Sequence, residues 1–358
     1  MPAIISIETS FPEHYYQQSE ILNSLKIIWA DQPEKCKLID KIKNNVQVDG
    51  RHLSMPIERY FEPMSFSDRN SLFINSSLDM LEKVTNRILN NVDIDLHEIK
   101  SLWSNTVTGF AIPSLEARLM NRLNFSSEVK RVPIMGLGCM AGVAGINRVA
   151  DYLRAFPKEC ALFLSVECCS LTFQLEDVSA ANLISTSLFG DGCAAVLMAG
   201  DEHPLSKNAP LLHQKSLSVF FKDTEDVMGW KVGENGLKII LNKNVPEVVE
   251  NQLRLPLLNF LKNEKISLSD FSSFFAHPGG PKVLLAMEKA LDLPQFGLSH
   301  SWKSLREKGN MSSVSVLDIL KRHISDYDQN NKNFKGALGL SLAMGPAFSA
   351  EIGLMKWN

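Results

Sequence analysis

Long apolar runs are missing from this chain of 358 residues; none approaches the roughly 20 that cross a bilayer, so no membrane span is expected. The first residues lack a charged segment followed by an extended apolar one, so no secretory signal is expected either. An excess of one charge is also absent. The net charge is −3 and the basic residues are dispersed, which argues against a nucleic-acid partner. The six cysteines form neither a CxxC pair nor a disulfide-framework spacing, so reduced thiols in a cytoplasmic protein are expected. Cys168 and Cys169 are adjacent with diverging side chains, so they do not chelate as CxxC does, and no metal site is expected. There is no P-loop, and no GxGxxG follows a strand.

What is present is an end-to-end alternation of strand-length apolar runs and helical patterns, the mark of an α/β protein. An apolar fraction of 45% and a charged fraction of 22% fit a soluble globular chain. The length exceeds what one core usually fills, so two domains or a duplicated core are expected. Residues 132–135 predict a short buried strand, and 161–166 and 194–198 predict strands buried on both faces. Ala141, Val143, Ala144, Ile146, Val149 and Leu153 recur at helical spacing until Pro157 closes the pattern. The polar stretch 201–215, with two prolines, reads as a connection that divides the chain into halves 1–213 and 214–358. Beyond it, strands are predicted at 238–241, 271–276, 337–344 and 348–356. Helices are predicted at 245–263, with a kink or break at Pro256, and at 312–327.

Three distant loops each present one reactive side chain among small residues. They are Gly-Leu-Gly-Cys-Met-Ala-Gly around Cys139, Phe-Ala-His-Pro-Gly-Gly-Pro around His277 and Lys-Gly-Asn-Met-Ser-Ser around Asn310. A thiol, an imidazole and a carboxamide are the parts needed for acyl transfer through a thioester. Cys139 follows a strand and opens a helix, where the macrodipole and free N–H groups favour a thiolate. His277 precedes a sharp turn, with Pro281 suited to the first turn of the next helix. From there an imidazole could hold Cys139 as an ion pair and donate to a thioester carbonyl. Taken singly, each residue also has an ordinary reading: a buried cysteine, a strand-end histidine and a helix-cap asparagine. Phe189-Gly-Asp-Gly192 reads as a tight turn. Gly138-Cys139-Met140 and Gly309-Asn310-Met311 echo each other ahead of small-residue helices, a hint of duplication that would bring two helix N-termini together beneath one site.

The Cys139 loop, Leu188-Phe-Gly-Asp-Gly192, His277-Pro-Gly-Gly-Pro281 and Gly309-Asn-Met-Ser-Ser313 resemble, in order and rough spacing, the type III polyketide synthases. This is the chalcone synthase-like branch of the thiolase superfamily, and the likeness runs over nearly the whole chain. Residues 112–122, 170–174 and 226–230 look more like bacterial alkylpyrone and alkylresorcinol synthases than like plant enzymes. The resemblance implies the thiolase fold, two similar α/β halves in a five-layer αβαβα arrangement, and a homodimer.

It also implies roles. Cys139 would take the starter acyl group from coenzyme A. His277 and Asn310 would bind the thioester carbonyl of malonyl-CoA as it loses carbon dioxide. Phe189 aligns with a gatekeeper phenylalanine, and Ile239 replaces a second one. Cys169, Thr172 and Trp230 align with cavity walls, and Ser312 with a substrate-binding position. Ile112 aligns with the residue that reaches into the partner's cavity, and 343–347 with a glycine-rich cyclisation loop that has lost flanking glycines. Arg51 and Arg59 are candidates for the coenzyme A phosphates. The implied activity is condensation of malonyl-CoA onto a fatty acyl-CoA starter, then cyclisation to an alkylpyrone or alkylresorcinol, with no cofactor besides the thioester substrates. The alternatives are a ketoacyl synthase III-like enzyme making one condensation and a catalytically silent scaffold.

Overall fold

The apolar runs at 161–166 and 194–198 extend, in a computed structural model of the chain, to strands in which every residue is buried. The structure describes residues 1–43, 45–242, 244–329 and 334–358. Among these, the strands of the first half are β1 (Ala3–Ser10), β2 (His14–Gln17), β3 (Gly50–Leu53), β4 (Ile99–Asn105), β5 (Lys130–Ile134), β6 (Cys160–Cys168) and β7 (Asp191–Ala199). Those of the second are β8 (Leu211–Phe220), β9 (Met228–Gly233), β10 (Gly236–Leu241), β11 (Phe271–Ala276), β12 (Leu338–Gly345) and β13 (Ser349–Trp357). The helices are α1 (Gln18–Ile28), α2 (Pro33–Lys43), α3 (Phe66–Val92), α4 (Leu115–Met120), α5 (Ala141–Ala155) and α6 (Ala180–Leu188). They continue with α7 (Val245–Gln252), α8 (Arg254–Glu264), α9 (Pro281–Ala290), α10 (Ser299–Lys308) and α11 (Val314–Gln329).

Strand order shows the duplication directly. In the first half β4 runs parallel to β6, β6 antiparallel to β7, and β7 antiparallel to β1. In the second, β11 is parallel to β12, β12 antiparallel to β13, and β13 antiparallel to β8. A two-residue pairing of β1 with β8 (Ala3 with Leu212, Ile4 with Leu211) joins the half-sheets into one nine-stranded ribbon. Helices α5 and α11 contact each other and strands of both halves. Val143, Ile146 and Val149 of α5 share a core with Val314 and Leu317 of α11, Phe163 of β6 and Ala343 of β12. Apolar residues of α3 cover the outward face of the first half, and Leu257, Leu261, Leu284 and Met287 cover that of the second. The order is helix, sheet, helix, sheet, helix. This is the five-layer α/β architecture expected.

Several local expectations shift. Residues 132–135 do not form a buried strand, because β5 is the outer strand of the sheet and Met135 is 55% exposed. The helix break falls at Leu253 rather than at Pro256, which sits three residues into α8, where a missing N–H leaves no bond unmade. Polar composition hides β8, which starts at Leu211 inside the stretch read as a connection; the division after residue 213 falls within this strand. Strands β9 and β10 pair only with each other, as a detached hairpin.

Candidate active site

Local sequence dictates where each reactive residue stands. After β5 the chain turns through Gly136 and Gly138, at φ 87° and 52°. A Cβ on Gly138 would lie 2.5 Å from Cδ of Pro346, so the turn and the close approach both require glycine. A single 3-10 turn, Gly138–Met140, then delivers Cys139 to the N-terminus of α5. His277 follows β11, and its N–H donates to Leu342 O on β12 at 2.8 Å. Gly279 N–H closes on His277 O at 3.1 Å, and Pro281 opens α9. Asn310 follows α10 through Gly309, at φ 67°. Its N–H donates to Leu188 O at 2.8 Å, and Gly190 N–H donates to Asn310 O at 3.0 Å. The Phe189 turn and the Asn310 loop are thereby joined by main chain.

These contacts bring the loops together. The Asn310 amide is fixed at both ends: Ser312 N–H donates to Oδ1 at 2.8 Å, and Nδ2 donates to Gly279 O at 3.2 Å in the His277 loop. Its second Nδ2 hydrogen has no recorded acceptor among the described residues. His277 is 2% exposed, and neither ring nitrogen has a hydrogen-bond partner among the described residues. Ser312, held at φ 51°, lies beside both the Cys139 thiol and Glu167, yet its Oγ makes no hydrogen bond of good geometry. Beneath it the Glu167 carboxylate accepts from Ser313 Oγ at 2.7 Å, Thr108 Oγ1 at 2.8 Å and Val107 N–H at 3.1 Å.

Burial governs the electrostatics. It pushes the Cys139 thiol up to about 12, with Ser312 lowering and Glu167 raising it further, and it pulls His277 down to about 3. For each group taken singly, burial favours the uncharged form, whereas the sequence leads one to expect an ion pair between them. Burial also holds Glu167 above the ordinary carboxylate range.

A narrow cavity of about 50 Å³ adjoins this cluster. Cys169, Thr172 and Phe189 wall it, and it runs outward past Ile57 and Phe61 to Ile21 and Leu25 on α1. Cys139, His277 and Asn310 do not line it; Cys169 is the link, since its thiol responds to the charge of Cys139. Thr172 Oγ1 donates to Cys169 O at 2.7 Å, fixing the turn that both occupy. Trp230 and Ile239 stand opposite one another on the β9–β10 hairpin, outside the cavity lining, and the Trp230 ring lies 6.3 Å from that of Phe189. Ile112 projects from the surface, 95% exposed.

Arg51 is a correction. It is 1% exposed; its guanidinium donates to Gln18 Oε1 and to the carbonyls of Thr186 and Ser187, bracing β3 against α1 and α6. A guanidinium so engaged is not free for a phosphate. Arg59 stays at the surface, 3.5 Å from Glu62.

Comparison with known proteins supplies the family. Residues 33–214 match the FAE1/type III polyketide synthase-like family, and residues 213–357 match the C-terminal domain of chalcone and stilbene synthases. The chain belongs to the type III polyketide synthases. It is 36% identical over 356 residues to 1,3,6,8-tetrahydroxynaphthalene synthase of Streptomyces peucetius subsp. caesius, covering 99% of this chain and 93% of that protein. It is 31% identical to phloroglucinol synthase of Pseudomonas fluorescens, covering 97% of each. The crystal structure of the tetrahydroxynaphthalene synthase of Streptomyces coelicolor superposes with a TM-score of 0.90 at 30% identity, over 99% of both chains. As a type III polyketide synthase the protein is an acyltransferase. No helix among the described residues is long and apolar enough to cross a membrane. No group of three or more His, Cys, Asp or Glu among them is placed to hold a metal.

Sequence reasoning missed two buried carboxylates of this synthase. Glu167 sits in β6, directly after the run 161–166 read as buried on both faces, and a charge buried there must be partnered; that was its signal. Asp191, in the turn after Phe189, accepts from Ser170 N–H at 2.7 Å and from Ser54 Oγ at 2.5 Å, and burial raises it to about 6. Its role in holding the Ser170 wall has no signature beyond the turn itself.

Proposed function

We propose that Cys139 carries the growing acyl chain and that His277 and Asn310 form the oxyanion site for malonyl-CoA. The supporting observation is that the three loops meet: Asn310 Nδ2 donates to Gly279 O of the His277 loop, Ser312 of the Asn310 loop lies beside the Cys139 thiol, and both His277 ring nitrogens are unpaired among the described residues. Neutral His277 has one lone pair and one N–H. The lone pair takes the Cys139 proton as sulfur attacks the starter thioester, and the proton passes to the departing coenzyme A thiolate. Malonyl-CoA then loses carbon dioxide, and N–H donors from His277 and Asn310 hold the enolate oxygen. The enolate carbon attacks the acyl-Cys139 carbonyl and expels the Cys139 thiolate. The chain is now two carbons longer and held on coenzyme A. Repetition and ring closure give the product. No resident cofactor enters this scheme.

The starter we infer is a fatty acyl-CoA, supported by the apolar cavity that runs from Cys169 towards Ile21 and Leu25. The expected product is an alkylpyrone or alkylresorcinol. A second reading, an aromatic polyketide with no alkyl chain, is favoured by the identity to the tetrahydroxynaphthalene synthase of S. peucetius. Dimer formation, with Ile112 reaching the partner's cavity, is supported by the exposure of that side chain.

Mass spectrometry of products from malonyl-CoA with short, medium and long acyl-CoA starters tests the proposal. Products whose side chains lengthen with the starter are expected. Identical alkyl-free aromatics from every reaction would overturn the fatty starter, and a single β-ketoacyl product would overturn the iterative scheme.

A further inference from the structure

Hairpin β9–β10 carries Trp230 and Ile239 but hydrogen-bonds to no strand of the main sheet. A two-stranded ribbon alone in water is marginal, so its position depends on what ties it down. Its buried residues are few: Leu237 is 4% exposed, whereas Val232 is 61% exposed. Gly229 has open space where a side chain would be.

One side chain joins the hairpin to the cavity wall. Gln174 Nε2 lies 3.3 Å from Asn235 O, 3.3 Å from Leu237 O and 3.2 Å from Thr172 O. Its two hydrogens are thus shared among a carbonyl of the wall turn and two of the hairpin. The Gln174 backbone is itself fastened to α6: Asn182 Nδ2 donates to Gln174 O at 2.8 Å, and Gln174 N–H donates to Asn182 Oδ1 at 3.4 Å. Helix α6 ends at Phe189. A second tie, Lys238 to Asp177 at 3.1 Å, joins a lysine that is 57% exposed to a carboxylate that is 11% exposed, and the exposure of its cation limits what it holds. The path from Phe189 through α6, Asn182 and Gln174 to the hairpin, together with the packing of β10 on α6, connects the Phe189 and Trp230 rings.

We infer that Gln174 is a positioning residue for starter selection: by clamping the β9–β10 hairpin it sets how Trp230 packs against Phe189, a wall of the cavity, and so which acyl thioesters the cavity admits. This rests on the proposed polyketide activity for its consequence, but the clamp itself does not. Three variants separate donor chemistry from packing. Gln174→Leu keeps bulk and loses the donor, and Gln174→Glu sets a carboxylate among three carbonyls. Gln174→Arg restores N–H donors.

Hydrogen exchange of peptides covering 228–241 is expected to quicken about fivefold in Gln174→Leu and Gln174→Glu, and to stay near the wild-type rate in Gln174→Arg. In the same proteins KM for long acyl-CoA starters relative to short ones is expected to shift at least about threefold for Leu and Glu and to be retained by Arg, with kcat moving less. Unchanged exchange in Gln174→Leu would overturn the clamp. Faster exchange with an unchanged starter ratio would overturn its role in selection. Wild-type protein that forms no polyketide from any starter would instead sink the functional reading, while the exchange measurement still decides whether Gln174 holds the hairpin.

Discussion

A thiol or an imidazole packed inside a protein carries charge only at a cost, so its reaction depends on where its proton goes. Cys139 and His277 are in that condition, with burial raising one to about 12 and lowering the other to about 3. Alkylation of Cys139 by iodoacetamide, read by mass spectrometry with Cys139→Ala as blank, should accelerate about tenfold per pH unit from pH 7 to 9. A rate flat over that range would reveal a resident thiolate paired with imidazolium. Cys139→Ala should also leave no acyl adduct after exposure to the starter thioester. The identity of these residues was legible because cysteine, histidine and asparagine each stood in a loop of glycines and small side chains. Their charge states were not, since they follow from how completely distant segments exclude water. Arg51 failed for the same reason: sequence shows a guanidinium, not the three oxygen acceptors that already occupy it.

Helices α5 and α11 carry Cys139 and Asn310 at their starts, and their spacing is set where Gly142 meets Ser313. A Cβ on Gly142 would lie 2.3 Å from Ser313 O and 2.6 Å from Val316 Cγ1. Gly142→Ala should therefore cost about 1–3 kcal/mol of stability by denaturant unfolding, although alanine is the better helix former. It should also depress condensation by parting the two loops. An undiminished midpoint would mean that the helices can move apart freely. The paired Gly-Cys-Met and Gly-Asn-Met signals announced this contact. The apolar runs within β6 and β7 were equally readable, because a run buried on both faces has little other use. Strand β8 was not, because only part of it faces the core and its lysine, glutamine and serines read as loop.

Across the whole molecule the halves are stitched by a buried polar chain. Arg154 Nη2 donates to His213 Nδ1 at 2.9 Å, and His213 Nε2 donates to Asn147 Oδ1 at 2.9 Å. Asn147 Nδ2 in turn donates to Glu351 Oε2 at 2.8 Å. This pattern needs a neutral ring, and burial lowers His213 to about 3, as it does His277 and His323. An unfolded histidine titrates near 6.5, so below that pH the unfolded chain takes up to three protons that the folded chain refuses. Asp191, raised to about 6, and Glu167, also raised, act oppositely, but two carboxylates cannot offset three histidines, so the balance near pH 5 is at least about one proton. Stability should therefore fall by about 1.4 kcal/mol per pH unit on acidification around pH 5. Guanidinium unfolding at pH 7 and pH 5 checks the sign, and equal or greater stability at pH 5 would refute it.

Because β9–β10 shares no ladder with the main ribbon, a changed residue there shifts no register elsewhere and disturbs neither helix that aims the thiol and the amide. On the selecting role proposed for it, descendants of this chain can trade one substrate appetite for another by editing a flap of fourteen residues, from Met228 to Leu241, and leave the rest of the fold as inherited.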